Sequence, residues 1–72
     1  MDMDELRVQI GRKLRQHRRH IGMTIEQLSV ASHVSVSHLS KIERGEINVT
    51  VGTLERVLKA LKVTIDLDAI TK

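Results

Sequence analysis

Residues 24–45 read TIEQLSVASHVSVSHLSKIERG, and this stretch predicts two short helices separated by a tight turn. Thr24 and Gln27 have the spacing of a capping box, in which each side chain bonds the other residue's backbone N–H. Ser35 predicts the N-cap of the second helix. Gly45 predicts its end, because glycine tolerates the left-handed conformation that follows a helix. The first helix is therefore expected to end before Ser35.

Both helices are expected to be only partly buried. Leu28 and Ala31 predict the inward side of the first helix, and Leu39 and Ile42 that of the second. The outward side of the second helix then carries short or basic side chains, namely those of Val36, Ser37, Ser40, Lys41 and Arg44. An α-helix fits the major groove of B-DNA, and short side chains near its N-terminus allow a close approach to base edges.

The composition limits the classes of protein to consider. With 72 residues the chain is expected to form one small domain, and with no Cys it has neither a disulfide framework nor a thiolate zinc site. It has no apolar run long enough to cross a membrane, and the acidic N-terminus MDMDELR does not resemble a signal peptide. These features favour a cytoplasmic protein.

The chain has no Phe, Trp or Tyr and a formal net charge of +3. Single-stranded nucleic acids are commonly bound by stacking bases on aromatic rings, so their absence favours duplex binding. No acidic residue lies between Leu6 and Ile25, a segment that contains six arginines and lysines. This basic run indicates either a phosphate-binding face or simply a solvated helix face.

The basic run belongs to a first predicted helix. Leu6, Ile10 and Leu14 recur at four-residue spacing and predict an inner stripe packed on the next helix, and Gly22 predicts the helix end. The arginines are expected largely outside that stripe. The candidates for phosphate contacts on this helix are Arg12, Arg18 and Arg19.

A last helix is predicted to start at Thr50, as its N-cap, with Leu54, Val57, Leu58 and Leu61 facing inward. Asn48 lies just before this cap, where loop N–H groups could face a phosphate. Gly11 and Gly52 fall inside predicted helices. Close helix packing is the simple explanation for both, and a near approach to DNA is an alternative for Gly52.

Beyond Lys62 the pattern changes, because residues 63–68 alternate apolar and polar side chains as in a strand. A lone strand leaves its backbone groups unpaired, so the simplest partner is the same strand of a second copy across a two-fold axis. Val63, Ile65 and Leu67 are the predicted dimerisation residues. The alternative is a frayed end of the last helix. The expected division is a DNA-binding domain over residues 1–62 and a dimerising tail over residues 63–72.

Catalytic and metal-binding interpretations have little support. No nucleophile or paired acid has a positioned partner, so we expect no enzyme activity and no cofactor. His17 and His20 are three residues apart, but no carboxylate or thiol completes a metal site, and no metal is expected. Glu43 would repel phosphate if it faced DNA, so it is expected to turn back toward a basic residue or nearby backbone.

Four segments together resemble the lambda-repressor-like (XRE/Cro) helix-turn-helix family: IGRKLR at residues 10–15, GMT at 22–24, VSVSHLSKIERG at 34–45 and TVGTLERVLKAL at 50–61. The resemblance implies an all-α bundle of four to five helices, here with a short C-terminal β-strand that pairs across a dimer. It also implies binding to a palindromic operator in double-stranded DNA as a homodimer.

The resemblance also assigns site residues. The first, second and sixth residues of the family's recognition helix face bases, and here these are Val36, Ser37 and Lys41. His38 is a fourth candidate, which could contact a base or a phosphate or be solvated. The phosphate candidates outside the first helix are Thr24, Ser35, Ser40, Arg44 and Asn48.

The chain departs from the family pattern at four positions. Ile25 stands where a phosphate-binding Gln is usual, which leaves only the backbone N–H groups of that helix end for such a contact. Ser29 replaces the usual Ala, and Val49 the usual Pro. His33 replaces the usual Gly at the turn, at some cost in stability if its φ is positive.

A narrower resemblance links the strand-like tail to HipB-type antitoxins. It implies a repressor that regulates its own operon and binds a HipA-type kinase toxin. The alternative is a phage-type or chromosomal repressor that acts without a toxin.

Overall fold

The computed structural model describes residues 3–63, with the side chains of residues 6–63. Four α-helices make up this part of the chain: α1 (Met3–His20), α2 (Ile25–Ser32), α3 (Val36–Glu43) and α4 (Val51–Ala60). The predicted all-helical bundle is confirmed for these residues. Of the predicted dimerising strand, only Val63 falls within them, and Ile65 and Leu67 lie outside.

The three predicted N-caps are confirmed. Thr24 and Gln27 form the capping box, with the Gln27 N–H donating to Thr24 Oγ1 at 3.0 Å and the Thr24 N–H to Gln27 Oε1 at 2.9 Å. The hydroxyl of Ser35 accepts the His38 N–H at 3.1 Å, and that of Thr50 accepts the Thr53 N–H at 3.1 Å. Each cap satisfies a backbone donor that the first turn of a helix leaves unpaired.

The helix ends follow from left-handed residues. Gly22 and Gly45 both have φ near +72°, as predicted, and each is followed by a backbone N–H that bonds back into the last turn of the preceding helix. His33 ends α2 with φ +61°, and Lys62 ends α4 with φ +60°. The helical pattern of α4 thus stops before Val63, whose N–H donates to the Leu58 carbonyl at 2.9 Å.

The core consists of seven buried side chains. They come from all four helices, from the turn between α2 and α3 and from the residue that follows α4: Leu14, Leu28, Val34, Leu39, Ile42, Val57 and Leu61. The expectation that Ala31 faces inward is wrong, because Ala31 is exposed and Ser32 is buried in its place. Four residues turn a helix about 40° past a full turn, whereas three fall about 60° short, so Ser32 aligns better with Leu28. The Ser32 hydroxyl accepts the Val34 N–H at 3.3 Å and supports the turn.

The first helix packs mainly on α3, rather than on α2 as the sequence suggested. Gly11 explains this, since a Cβ added there would lie 2.3 Å from the Ile42 carbonyl oxygen and 2.7 Å from that of Glu43. The missing side chain lets the backbone of α1 approach the end of α3. Leu14 is buried as predicted, whereas Leu6, at the start of the stripe, is 39% exposed.

None of the helices in residues 3–63 combines the length and the apolar character that crossing a membrane requires.

Candidate nucleic-acid interface

The third helix presents two different faces. Leu39 and Ile42 are 1% and 3% exposed and fix the helix in the core. Ser37, His38 and Lys41 are exposed on the other side. This is the half-buried arrangement that the sequence predicted. The helix is therefore held firmly while its outward side chains are available for contact.

All four candidate base-reading residues reach the surface. Val36 is 37% exposed at the first position of α3, and Ser37, His38 and Lys41 follow on the exposed side. The Ser35 hydroxyl accepts only the N–H of His38, the third residue of α3. The N–H groups of the first two residues therefore have no intrahelical acceptor, and they lie at the positive end of the helix dipole. Short side chains and a positive helix end together favour binding to a polyanion such as DNA. The base contacts themselves stay predictions.

A shallow depression of about 200 Å³ lies beside the start of α2. It is lined by basic side chains, by the apolar Ile25 at the helix start and by polar groups of α3, namely Arg15, Arg18, Ile25, Ser40, Glu43 and Arg44. The hydroxyl of Thr24 is engaged in the capping box, so the free backbone donors at this end of α2 are those of its first residues. An anion at the depression would lie beside the first residue of α2 and the exposed Arg15, although the Glu43 carboxylate lines the depression as well.

Arg18 lies inside the domain rather than on the outer face of α1. Its Nε and Nη2 donate to the two Glu43 carboxylate oxygens at 2.8 and 3.0 Å, and its Nη1 donates to the Met23 carbonyl at 2.9 Å. The two side chains are only 11% and 7% exposed. The hydrogen bond with Glu43 raises the pKa of Arg18 above its ordinary value. The prediction that Glu43 turns back toward a basic residue is confirmed.

The other basic residues of α1 have a different exposure. Arg12, Arg15 and Arg19 are exposed, and their spacing of three and four residues places them on one side of the helix. Arg15 was not among the candidates from sequence, yet it lines the depression beside α2. Arg15 follows Gly11 by four residues and therefore lies on the same side of α1. This spacing is the feature of the sequence that could have indicated Arg15 as a site residue. Phosphate contacts by Arg12, Arg18 and Arg19 stay predictions.

Arg44, at the end of α3, is also engaged. Its Nε lies 2.5 Å from Glu46 Oε2, its Nη2 donates to Glu46 Oε1 at 3.3 Å, and its Nη1 donates to the Ser40 hydroxyl. Both charged side chains are about half exposed. The hydrogen bonding between the two charged groups raises the pKa of Arg44 and holds the pKa of the Glu46 carboxyl below its ordinary value. This pair was not predicted from the sequence.

The loop between α3 and α4 places Asn48 on the surface, close to the Thr50 cap. Gly52, in the first turn of α4, has nothing within 4 Å of where a Cβ would be, so helix packing does not explain it. The alternative, a near approach to DNA, stays a prediction for Gly52. Asn48 likewise stays a predicted phosphate contact.

The two histidines of α1 have structural contacts. His17 Nε2 lies 3.1 Å from the Leu61 carbonyl oxygen at the end of α4, and the rings of His17 and His20 are 6.5 Å apart. A donated Nε2–H would satisfy a carbonyl that the helix end leaves unpaired. In the described part of the chain, no three His, Cys, Asp or Glu residues come together as a metal site would need.

Two capped helices joined by a left-handed turn, with the second helix exposed beside basic side chains, define a helix-turn-helix DNA-binding domain. Sequence comparison agrees with this, because the profile of the family described as "Helix-turn-helix domain" matches residues 9–69. The chain belongs to this family, within the lambda-repressor-like group.

Its relatives are transcriptional regulators. The HTH-type transcriptional regulator SlrR of Bacillus subtilis (strain 168) is 49% identical over 55 residues, which cover 75% of this chain and 36% of that protein. The chain thus spans about a third of the length of SlrR. The uncharacterized HTH-type transcriptional regulator y4dJ of Sinorhizobium fredii (strain NBRC 101917 / NGR234) is 39% identical over 64 residues, covering 89% of this chain and 79% of that protein.

A solved structure has the same fold. The restriction-modification controller protein C.AhdI from Aeromonas hydrophila superposes with a TM-score of 0.78 at 29% identity, covering 81% of this chain and 88% of that one. The relatives are named as HTH-type transcriptional regulators, which agrees with the expectation that this chain has no catalytic site.

Proposed function

We propose that this protein is a sequence-specific repressor that binds double-stranded DNA as a homodimer, with α3 in the major groove. One observation carries the proposal. The exposed side of α3 presents Val36, Ser37 and Lys41, while Leu39 and Ile42 fix the helix in the core. A rigid helix with short and basic outward side chains can approach base edges closely.

Each base-reading residue has a distinct chemistry. The Lys41 ammonium group donates hydrogen bonds and suits the acceptors of a guanine edge. The Ser37 hydroxyl can donate or accept, and the Val36 methyl groups suit contact with a thymine methyl. His38 lies beside them and could bond a base or a phosphate. The phosphate contacts at Thr24, Ser35, Ser40, Arg44 and Asn48, together with those of α1, would set the position of the domain without carrying sequence information.

We propose a homodimer for two reasons, the single α3 of each copy and the alternating sequence pattern of the tail. One copy has a single α3 and can occupy one major-groove site, whereas two copies related by a two-fold axis would occupy half-sites about 34 Å apart on a palindromic operator. The alternating pattern of residues 63–68 supports pairing through Val63, Ile65 and Leu67. Such a protein would act in the cytoplasm, where the DNA is.

The experiment that tests sequence-specific binding measures the affinity of the protein for genomic duplex fragments, including its own promoter, over a series of salt concentrations. One fragment is expected to bind at least about a thousandfold more tightly than bulk DNA. The slope of log affinity against log salt then counts the phosphate contacts. Equal, weak binding to every fragment would contradict the proposal.

Lys41→Ala is expected to weaken operator binding by about 1–3 kcal/mol per half-site and to relax the preference at one base pair, if Lys41 donates to a guanine edge. Affinities for the operator and for variants at each base pair measure both effects. Lys59→Ala is the matched control, because Lys59 is an exposed lysine on α4 paired with Glu55 at 3.9 Å. An equal loss on all sequences would show that Lys41 binds a phosphate and does not read a base.

Ile65→Lys and Leu67→Lys are expected to convert a dimer into a monomer, because each places a charge in the predicted apolar interface. Sedimentation equilibrium measures the mass, and Thr64→Lys, on the polar side of the same pattern, is the control. If the unaltered protein sediments as a monomer at the concentrations that saturate the operator, the dimer proposal is wrong. If both apolar variants stay dimeric, the interface lies elsewhere.

The narrower role remains the autoregulating antitoxin of a HipA-type kinase toxin, and the strand-like pattern of residues 63–68 supports it. The alternative is a repressor without a toxin. The names of the relatives, a transcriptional regulator and a restriction-modification controller protein, favour this alternative. Affinity purification from the native host distinguishes the two. Co-purification of a kinase encoded beside this gene supports the antitoxin, and purification without one supports the plain repressor.

A further inference from the structure

Arg44 lies at the edge of the proposed DNA-binding surface with its guanidinium already hydrogen-bonded within the protein. It lines the depression beside the start of α2, together with Arg15 and Glu43. Its guanidinium nevertheless makes two bonds to Glu46 and one to Ser40. A guanidinium has five N–H donors, so at most two remain for another acceptor.

The backbone holds Glu46 in this place. Gly45, with φ +72°, turns the chain at the end of α3, and the Glu46 N–H then donates to the Lys41 carbonyl at 3.0 Å. These two features fix the start of the Glu46 side chain next to Arg44. The Glu46 carboxylate therefore accompanies α3 wherever α3 binds and stays hydrogen-bonded to the Arg44 guanidinium.

A carboxylate and a DNA phosphate are alternative acceptors for the same guanidinium. A phosphate next to Arg44 would also lie next to Glu46, and two anions that share one cation repel each other. Arg44 can give its full charge to a phosphate only when the Glu46 bond is exchanged. Because both side chains are about half exposed, water can solvate the released carboxylate.

We propose that Glu46 is an intramolecular competitor that occupies Arg44 and lowers the affinity of the domain for duplex phosphate, with the Arg44–Glu46 bond exchanged for an Arg44–phosphate bond on binding. The inference rests on the proposed DNA-binding function and adds a residue that restrains it. Phosphate occurs on every DNA sequence, so this competition weakens binding everywhere by a similar factor. Base contacts through α3 then make up a larger share of the net affinity on an operator.

The test uses the full chain, a fixed nonspecific duplex and a salt series. Glu46→Gln is expected to raise the affinity roughly two- to fivefold at low salt, the scale of one exposed ion pair. The slope of log affinity against log salt is expected to change little, because Arg44 neutralises the same phosphate in both proteins. Glu55→Gln is the control, since it removes the same charge from the exposed pair with Lys59 on α4.

Arg44→Gln separates competition from simple charge removal. In an Arg44→Gln background, Glu46→Gln is expected to lose most of its gain in affinity. A full gain without Arg44 would overturn the proposal, because general repulsion would then account for it. Weaker binding by Glu46→Gln alone would also overturn it and would make Glu46 a residue that orients Arg44.

The inference and the proposed function can fail separately. Uniform weak binding to all duplexes contradicts sequence-specific repression, yet the affinities of the Glu46 and Arg44 variants for the nonspecific duplex still decide the role of Glu46. No binding to any duplex at low salt would reject both.

Discussion

Gly11→Ala is expected to destabilise the domain by about 2–3 kcal/mol, the upper part of the range for forcing extra atoms into a packed site. The added Cβ would lie 2.3 Å from the Ile42 carbonyl oxygen and 2.7 Å from that of Glu43. These are backbone atoms, so no side chain can rotate away to make room. The first helix must move off α3, and this loss outweighs the gain of about 1 kcal/mol that Ala otherwise brings to a helix.

Gly52→Ala is the matched control for that substitution. Gly52 also lies inside a helix, but nothing stands within 4 Å of the added Cβ. The higher helix propensity of Ala is then the only effect, and we expect the substitution to stabilise the domain by up to about 1 kcal/mol. Urea unfolding followed by circular dichroism compares the two variants with the unaltered protein. If Gly11→Ala were as stable as Gly52→Ala, the close contact between α1 and α3 would be wrong.

The same control variant bears on DNA binding. If the start of α4 approaches the DNA backbone, Gly52→Ala should weaken duplex binding although the protein is no less stable. Unchanged binding would leave Gly52 without a role in the interface.

Glu43→Ala is expected to cost about 2 kcal/mol, between the values for exposed and fully buried ion pairs, because breaking this largely buried pair leaves a charge without its partner. The Arg18 and Glu43 side chains are only 11% and 7% exposed and are joined by two hydrogen bonds. Removing the carboxylate leaves the Arg18 guanidinium inside the domain with the Met23 carbonyl as its acceptor. That pair links α1 to α3, so its loss also loosens the position of α3.

Two comparisons identify the cause of this loss. Glu55→Ala removes an acid whose 3.9 Å pair with Lys59 is exposed, and it should change the unfolding free energy by less than about 1 kcal/mol. Replacing both partners, as Arg18→Met with Glu43→Leu, should recover much of the stability, because no buried charge remains unpaired. A Glu43→Ala variant that unfolds at the same urea concentration as Glu55→Ala would contradict the buried pair.

Local signals in the sequence were sufficient for the framework of the fold. The capping box at Thr24 and the N-caps at Ser35 and Thr50 depend on neighbours within three residues. Gly22 and Gly45 mark helix ends through their own backbone conformation. Such features depend little on the rest of the fold, so a single sequence is enough to predict them.

Features that depend on how helices pack were predicted less well. Ala31 and Ser32 are both compatible with an inward face, but Ser32 is the buried one, because its direction from the helix axis lies nearer to that of Leu28. Arg18 faces inward because Glu43 lies opposite it on α3, a partner 25 residues away. Arg15 was missed for the same reason, since the depression that it lines exists only after α1, α2 and α3 have assembled. The Arg44–Glu46 pair joins residues only two apart and was not predicted, although Gly45 had marked the turn that brings them together.

The most direct test of the account asks which residues contact DNA. Backbone amide signals of the ¹⁵N-labelled protein would be followed by NMR while the tightest-binding duplex fragment is added. The account predicts the largest shifts at the start of α2 and along the exposed side of α3, including Val36, Ser37 and Lys41, with smaller shifts near Asn48. Shifts confined to the far end of α4 would contradict the assignment of α3 as the helix that reads DNA.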